Sequence, residues 1–359
     1  MGELKQLPLA FPDKELYARV LQKGFEIYPE RKKNYERYQA AQRGVHIDFL
    51  PVKMDIENVS RCNYHCTMCE VSNWPGSKRA ADMSLEDYRK LIDEQYGLIE
   101  IKLQGLGEPL MGKCYFDMIR HARERHVWVR STTNGSLLHV SENYRKIIDS
   151  DICELSVSID GCSPATYEKI RRGGHFDLVT KNCALLNDYA MSQNRKRTRI
   201  NTVVQKDNFH ELEQFPVLAG KLGFERLSLS LDLNDWGKDA WKEVNDPVDM
   251  HSHFSVELGM KLIEIGARNG VAVTFWYIDH KYDWDKPEHL CPWPFHRPYI
   301  SSDLRIVPCC MIANPETYDL GDARKLGEAW NGPKYQGFRQ AHLQGKIPGI
   351  CKSCYKARA

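Results

Sequence analysis

The sequence predicts an α/β fold, a partial (β/α)6 barrel followed by a small C-terminal module. Three observations carry this. From residue 53 short β-like runs alternate with helical segments, the pattern of a parallel sheet with crossover helices. Polar and glycine-containing motifs directly follow several of those runs, at the strand ends where β/α barrels place their active groups. Beyond residue 280 the alternation gives way to cysteines, prolines and a hairpin pattern.

Residues 12–43 place Leu16, Val20, Leu21, Phe25 and Ile27 in an apolar stripe within a Lys/Arg/Glu background. One or two amphipathic helices are expected there, covering the bottom or side of the barrel. The run Arg31-Lys32-Lys33 could dock an acidic flavodoxin or ferredoxin, or be an ordinary solvated helix face. Strands are expected at 53–59, 99–104, 127–132, 154–159, 199–205, 226–233 and 271–278. Helices are expected at 85–96, 115–125, 141–148, 176–191, 209–221 and 255–269. No strand reads as alternating polar and apolar throughout, which suits burial on both faces. The chain divides into a helical extension (1–50), the barrel (51–280) and the C-terminal module (281–359).

The 359 residues carry a net charge of +2 with the charges mixed along the chain, so nothing favours a nucleic-acid partner. No apolar run has the length of a membrane span, and Met-Gly-Glu-Leu-Lys is no signal-peptide core, so a soluble cytoplasmic protein is expected. The 12 cysteines cluster at metal-ligand spacings, which favours metal chemistry in a reducing compartment over a disulfide framework.

The first cluster is Cys62-Asn-Tyr-His-Cys66-Thr-Met-Cys69. Three thiols this close can face one inorganic centre, and on a four-iron cubane they leave one iron open. A zinc knuckle or buried free thiols are the plainer readings. The second cluster comprises Cys291-Pro-Trp-Pro, a hairpin over 299–307 turning near Ser302-Asp303, Cys309-Cys310, a helix near 326–344 and Cys351-Lys-Ser-Cys354. Four of these thiols can close a site on zinc or iron–sulfur, and spacing alone does not separate the two.

C-x-x-x-C-x-x-C after a first strand resembles the signature of the radical S-adenosylmethionine (radical SAM) superfamily. The resemblance implies a [4Fe–4S] cluster on Cys62, Cys66 and Cys69 whose open iron binds SAM. An electron then cleaves SAM to a 5′-deoxyadenosyl radical. Gly105-Leu-Gly107-Glu108-Pro109 resembles the family's glycine–glutamate–proline loop, with glycine letting the backbone approach the ligand. Thr132-Thr133-Asn134-Gly135 follows the third strand, Ser156, Ser158 and Asp160 mark the fourth, and Arg171 or Arg172 follows it. The SAM contacts implied are Tyr64, Met68, Gly107, Glu108, Asn134, Ser158 and Arg171. Met68 stands where the family usually has an aromatic residue. The C-terminal pattern resembles the twitch module, the shortened SPASM domain. It implies an auxiliary [4Fe–4S] cluster on Cys291, Cys309, Cys351 and Cys354, with Cys310 as the alternative to Cys309. The resemblance spans residues 50–359.

The fate of the radical left by hydrogen abstraction at a carbinol carbon decides the product. Loss of a proton and an electron gives a ketone, whereas return of a hydrogen atom from a thiol on the opposite face inverts the carbon. The thiols outside the ligand sets are Cys114, Cys153, Cys162, Cys183 and Cys310. Cys153 precedes the fourth strand and is expected at the wrong end. Cys162 directly follows that strand. Cys183 lies in line with Val179, Leu186 and Ala190 at helical spacing, which reads as a core thiol. The module layout also resembles the twitch radical SAM carbohydrate epimerases of aminoglycoside antibiotic biosynthesis, in which a cysteine donates hydrogen. That resemblance ranks Cys183 first and Cys162 next. The expected function is an epimerase acting on an aminosugar, reduced by a flavodoxin or ferredoxin. A dehydrogenase of an aminocyclitol or sugar alcohol is the alternative, then a peptide maturase, then a non-enzymatic zinc or electron-transfer scaffold. Substrate-facing candidates are Asn201, Gln205, Ser228, Ser230, Asp232, Asp235, Trp276, Asp279 and His280, with Asp232 and Asp235 suited to ammonium groups.

Overall fold

Each barrel strand alternates side chains strictly, and that decides how the sheet is used. In the computed structural model, which describes residues 4–276 and 282–355, seven strands run parallel in chain order. They are β1 (Lys53–Ile56), β2 (Glu100–Leu103), β3 (Trp128–Thr133), β4 (Glu154–Ser158), β5 (Thr198–Val203), β6 (Arg226–Ser230) and β7 (Ala272–Trp276). Two N-terminal helices, α1 (Lys14–Ile27) and α2 (Pro29–Ala40), precede them. The crossovers carry α3 (Leu85–Glu94), α4 (Tyr115–Glu124), α5 (Asn143–Asp149), α6 (Pro164–Ile170), α7 (Phe176–Ser192), α8 (Gln214–Lys221), α9 (Asp239–Asn245) and α10 (Val256–Arg268). The result is six β/α units and a closing strand, a partial barrel of the expected class. Asp279 and His280 lie outside the described residues.

Met54, Ile56, Ile101, Leu103, Val129, Leu155, Val157, Ile200, Leu227, Leu229, Val273 and Phe275 point to the helices and are almost fully buried. The alternate positions are polar: Lys53 and Asp55, Glu100 and Lys102, Arg130 and Thr132, Glu154, Ser156 and Ser158, Arg199 and Asn201, Arg226, Ser228 and Ser230. The expectation of strands without alternation is therefore corrected. Both faces are covered, but the inner wall is polar and stays burial-compatible because its charges pair with one another. Glu100 meets Lys53 at 2.7 Å and Arg130 at 2.9 Å, while Glu154 meets Arg199 at 2.6 Å and Arg226 at 2.9 Å.

α1 closes the N-terminal end of the barrel, with Leu16 and Val20 packed on Trp128 and Cys153 and the Tyr17 hydroxyl donating to Glu100 at 3.1 Å. Arg31 on α2 is buried and donates to the carbonyls of Tyr96 (3.1 Å) and Arg125 (2.6 Å). Lys32 and Lys33 pair with Glu36 and Glu30 on the same helix. Arg31 is thus a structural tie, while Lys32 and Lys33 stay exposed on the helix face.

The C-terminal module extends the barrel's own sheet. After α11 (Trp293–His296), β8 (Tyr299–Ile300) pairs parallel to β1, β9 (Arg305–Val307) runs antiparallel to β8, and β10 (Gly321–Asp322) antiparallel to β9. The single helix expected over 326–344 is two, α12 (Leu326–Ala329) and α13 (Pro333–Leu343), because Gly332-Pro333 ends one and starts the other. α6 is an element that the periodicity does not predict, although Ser163 caps it and Pro164 opens it. Among the described residues no helix is long and apolar enough to cross a membrane.

Glu57 joins β1, the glycine loop and the hairpin. Its carboxylate accepts from Leu106 N at 2.9 Å and Ser302 N at 3.3 Å, and burial pushes its pKa up to about 7. The folded state then binds more protons than the unfolded chain between pH 4.5 and 7, so this group's stabilisation is full below that window and fades as pH rises through it. Glu57→Gln is expected to flatten the fall in unfolding midpoint between pH 5 and 8, an effect of roughly 3 kcal/mol at most. Urea titrations at the two pH values check it.

Candidate active site

The loop after β1 carries Cys62, Cys66 and Cys69 and is strapped to the segment after α6. His65 N donates to Arg172 O at 2.8 Å and Thr67 N to Ile170 O at 3.0 Å. The Ser72 hydroxyl donates to Cys66 O at 2.7 Å. Donors surround the thiols: Tyr64 N lies 3.4 Å from Cys62 Sγ, Asn134 Nδ2 3.9 Å from the same sulfur, and Arg171 Nη1 4.0 Å from Cys66 Sγ. Burial, reinforced by Glu108, pushes Cys62 up to about 11, and burial with its two sister thiols pushes Cys69 up to about 12.

The other strand ends meet this loop. Glu108 is 2% exposed; its carboxylate accepts from the Thr133 hydroxyl at 2.6 Å, Asn134 N at 2.7 Å and Leu110 N at 3.2 Å, which leaves it about one acceptor position. Asn134 Nδ2 donates to Asn63 Oδ1 at 3.0 Å. Arg171 pairs with Asp160 at 2.7 Å and keeps its Nε without a hydrogen-bond partner, while Arg172 is exposed. Ser158 ends β4 on the polar wall. Tyr64 is buried with its hydroxyl beside Tyr167 and Ser136, and the Met68 carbonyl accepts from Trp236 Nε1 at 3.2 Å. Gly107 has a structural reason beside the one expected. A Cβ there would run into the Val59 and Arg61 carbonyls, so the glycine lets this loop lie on the cysteine loop, where Glu108 N donates to Arg61 O at 3.0 Å.

The second thiol group forms where the module meets the barrel. Cys309 lies within electrostatic reach of Cys291, Cys351 and Cys354, and burial holds it well above the usual thiol range. Cys291 N donates to the Tyr355 hydroxyl at 2.8 Å, and Tyr282 N to Cys354 O at 2.8 Å. One apolar cluster of Val71, Trp74, Leu106, Tyr299, Val307, Ile312 and Ala313 packs both on Cys62 and Cys69 and on Cys309, Cys310 and Cys351. The two cysteine groups therefore share one apolar contact layer. Glu70, next to Cys69, accepts from Asn314 Nδ2 at 2.8 Å and pairs with Lys238.

A model of the Radical SAM superfamily matches residues 58–216, and a model of the SPASM iron–sulfur cluster-binding domain matches residues 291–355. The chain carries a radical SAM domain followed by a SPASM iron–sulfur domain. The tungsten-containing aldehyde ferredoxin oxidoreductase cofactor-modifying protein of Pyrococcus furiosus is 25% identical to this radical SAM chain over 308 residues, 79% of the chain and 82% of that protein. The mycofactocin maturase of Mycolicibacterium smegmatis is 24% identical over 197 residues, 54% of this chain and 48% of the maturase, so the chain spans about half the length of that relative. Among solved structures, Streptococcus suis SuiB bound to precursor peptide SuiA superposes with a TM-score of 0.65 at 15% identity, covering 86% of this chain and 70% of SuiB. BtrN in complex with AdoMet and 2-DOIA gives 0.50 at 14% identity, covering 85% and 93%. These two likenesses show the fold. The domains imply SAM with one [4Fe–4S] cluster, and further iron–sulfur for the SPASM region.

The residues fit those groups. Among the described residues no three His, Cys, Asp or Glu side chains converge closely enough for a single metal ion, whereas a cubane gives each thiolate a different iron and so needs wider spacing. On binding iron these thiols would release their protons to solvent and coordinate as thiolates. The unpartnered Arg171 Nε suits a carboxylate.

Of the other expected residues, Asp232 sits 3.1 Å from His251 Nδ1, and Asp235 accepts from Gly237 N at 2.9 Å and lies near Cys351. Cys162 N donates to Glu211 at 2.6 Å, holding that residue in the loop before α6. Cys183 is fully buried in the stripe that α7 shares among Val179, Leu186 and Ala190. The wall itself, with Lys102, Asp55 and Arg130 in neighbouring register, is absent from the sequence-based expectations; its signal is the polar–apolar alternation.

Proposed function

We propose that this radical SAM enzyme abstracts a hydrogen atom from a carbinol carbon of an aminosugar or aminoglycoside-type substrate and inverts that carbon, as a step in antibiotic assembly. The observation that supports it is the polar inner wall of the barrel, with Asp55, Lys102 and Arg130 in neighbouring register, together with two cysteine groups that pack on one apolar cluster; such a wall suits a substrate rich in hydroxyl and amino groups. Cys62, Cys66 and Cys69 would hold the first cluster, and Cys291, Cys309, Cys351 and Cys354 the auxiliary one. When bound, SAM and its cluster supply the radical that breaks the C–H bond.

The chain's own residues bind and orient. Glu108 offers its remaining acceptor position to the SAM ammonium, Arg171 its free Nε to the carboxylate, and Tyr64, Met68, Gly107, Asn134 and Ser158 complete the pocket. Asp232 and Asp235 stand at the rim for substrate ammonium groups. Trp74, Leu106 and Tyr299 shield both cysteine groups from water. Cys183, with Cys162 as its rival, is the thiol that returns hydrogen on the face opposite abstraction.

Anaerobic incubation with SAM, dithionite and a panel including 2-deoxystreptamine and paromamine tests this, with NMR and mass analysis of products made in D2O. The expected product is an epimer carrying one solvent deuterium at the inverted carbon, because S–H exchanges with water and C–H does not. A product lighter by two hydrogens supports the dehydrogenase instead, and absence of any product removes the substrate class.

A further inference from the structure

We propose that Lys102 on β2 binds an anionic oxygen group of the substrate, a phosphate or a carboxylate, inside the barrel. This rests on the aminosugar reading above and adds that the aminosugar carries an acidic substituent.

Lys102 faces inward, since its neighbours Ile101 and Leu103 are buried against the helices. Across the sheet it stands between Asp55 of β1 and Arg130 of β3. The carboxylates nearest in register are already engaged. Arg297 Nε donates to Asp55 Oδ1 at 2.8 Å, and Glu100 meets Lys53 at 2.7 Å and Arg130 at 2.9 Å. Lys102 is half-buried and makes no hydrogen bond or close ion pair among the described residues.

The charge balance of the whole wall points the same way. Glu100 serves two cations, Glu154 serves Arg199 and Arg226, and Asp55 serves Arg297, so cations outnumber carboxylates there before Lys102 is added. An ionised Glu57 at the end of β1, held by Leu106 N and Ser302 N, does not cancel that excess. An uncompensated ammonium inside a protein is costly, and an anion bound beside it removes the cost through charge-assisted hydrogen bonds.

The next row of the wall fits the rest of a sugar. One inward-facing position nearer the strand ends, Thr132 stands opposite Ser156, and Asn201 stands opposite Ser158. The side chains of Thr132, Ser156 and Asn201 are half-buried and make no hydrogen bond among the described residues, which leaves two hydroxyls and an amide open to ring hydroxyls. The acidic group thus reaches inward to Lys102, and the ring lies against this row towards the loop that carries Cys62.

The test is anaerobic titration calorimetry on the reconstituted protein with SAM bound and the clusters oxidised, so that ligands bind without turnover. Wild type and Lys102→Met each receive D-glucosamine 6-phosphate, 2-amino-2-deoxy-D-glucuronate, D-glucosamine and inorganic phosphate. Wild type is expected to bind one of the acidic sugars roughly 10- to 100-fold tighter than glucosamine, the worth of one charge-assisted hydrogen bond, and the tighter of the two distinguishes phosphate from carboxylate. Lys102→Met should lose that preference, keep its iron and sulfide, and unfold at no lower temperature, because it removes a charge that has no partner. Failure of both acidic sugars to outbind glucosamine, or a preference that survives in Lys102→Met, overturns the proposal. Inorganic phosphate bound as tightly as the sugar phosphate also overturns it, as an anion site without sugar recognition. So does a lower unfolding midpoint or a shifted cluster potential in Lys102→Met with sugar affinities unchanged, which would make the ammonium a structural charge or a counterweight to the clusters. On addition of dithionite, an acidic sugar that binds through Lys102 and yields a ketone, or nothing, overturns the epimerase reading and leaves the anion site standing.

Discussion

Replacing Cys66 by alanine is expected to abolish reductive SAM cleavage and to reduce the iron content from about eight to about four per chain. Cys66 is buried between the Arg171 guanidinium and the strapped backbone of residues 65–72, so water has little room to replace the missing sulfur. The effect exceeds that of losing a substrate contact, because without the cluster no radical chemistry begins. Cys153→Ala is the control. That thiol packs under α1 against Leu16, Val20 and Trp128, and its loss should leave iron and SAM cleavage unchanged. Iron and sulfide assays with chromatography of 5′-deoxyadenosine check both.

The largest expected stability effect lies at Asp55 and Arg297. Arg297 Nε donates to Asp55 Oδ1 at 2.8 Å, Asp55 is 1% exposed, and the guanidinium lies over Trp293 at 4.6 Å. The pair pins β8 of the module to β1 of the barrel. Arg297→Met leaves a buried carboxylate without its cation, which costs roughly 3–5 kcal/mol. Asp55→Asn combined with Arg297→Met removes the stranded charge and should recover much of that loss. Thermal unfolding of the three proteins measures it; a single variant as stable as wild type would deny the pair its role. Because Cys309 comes two strands after this joint, the single variant should also lose auxiliary iron.

The elements legible in the sequence are those written in local chemistry. The cysteine spacing, the loops after β2 and β3, and Ser84 and Ser255 as helix caps each depend on a few adjacent residues. The features that are not legible depend on residues far apart in the chain. Arg31 reads as part of a basic run until the carbonyls of Tyr96 and Arg125 come to meet it. The role of Gly107 depends on the Val59 and Arg61 carbonyls, nearly fifty residues upstream. The polar inner wall is visible as alternation in Lys53-Met-Asp-Ile and Glu100-Ile-Lys-Leu. It goes against expectation because parallel strands usually read as continuous apolar runs. Here ion pairs such as Glu100 with Arg130 make a charged interior possible.

The assignment of an open iron to the first cysteine group is tested most directly by electron paramagnetic resonance. The sample is the reduced protein carrying Cys351→Ala and Cys354→Ala, in which only that cluster remains. Its [4Fe–4S]+ signal is expected to change g values when SAM is added, because SAM binds the iron that Cys62, Cys66 and Cys69 leave free. A cluster spectrum indifferent to SAM, or no cluster signal at all, contradicts it.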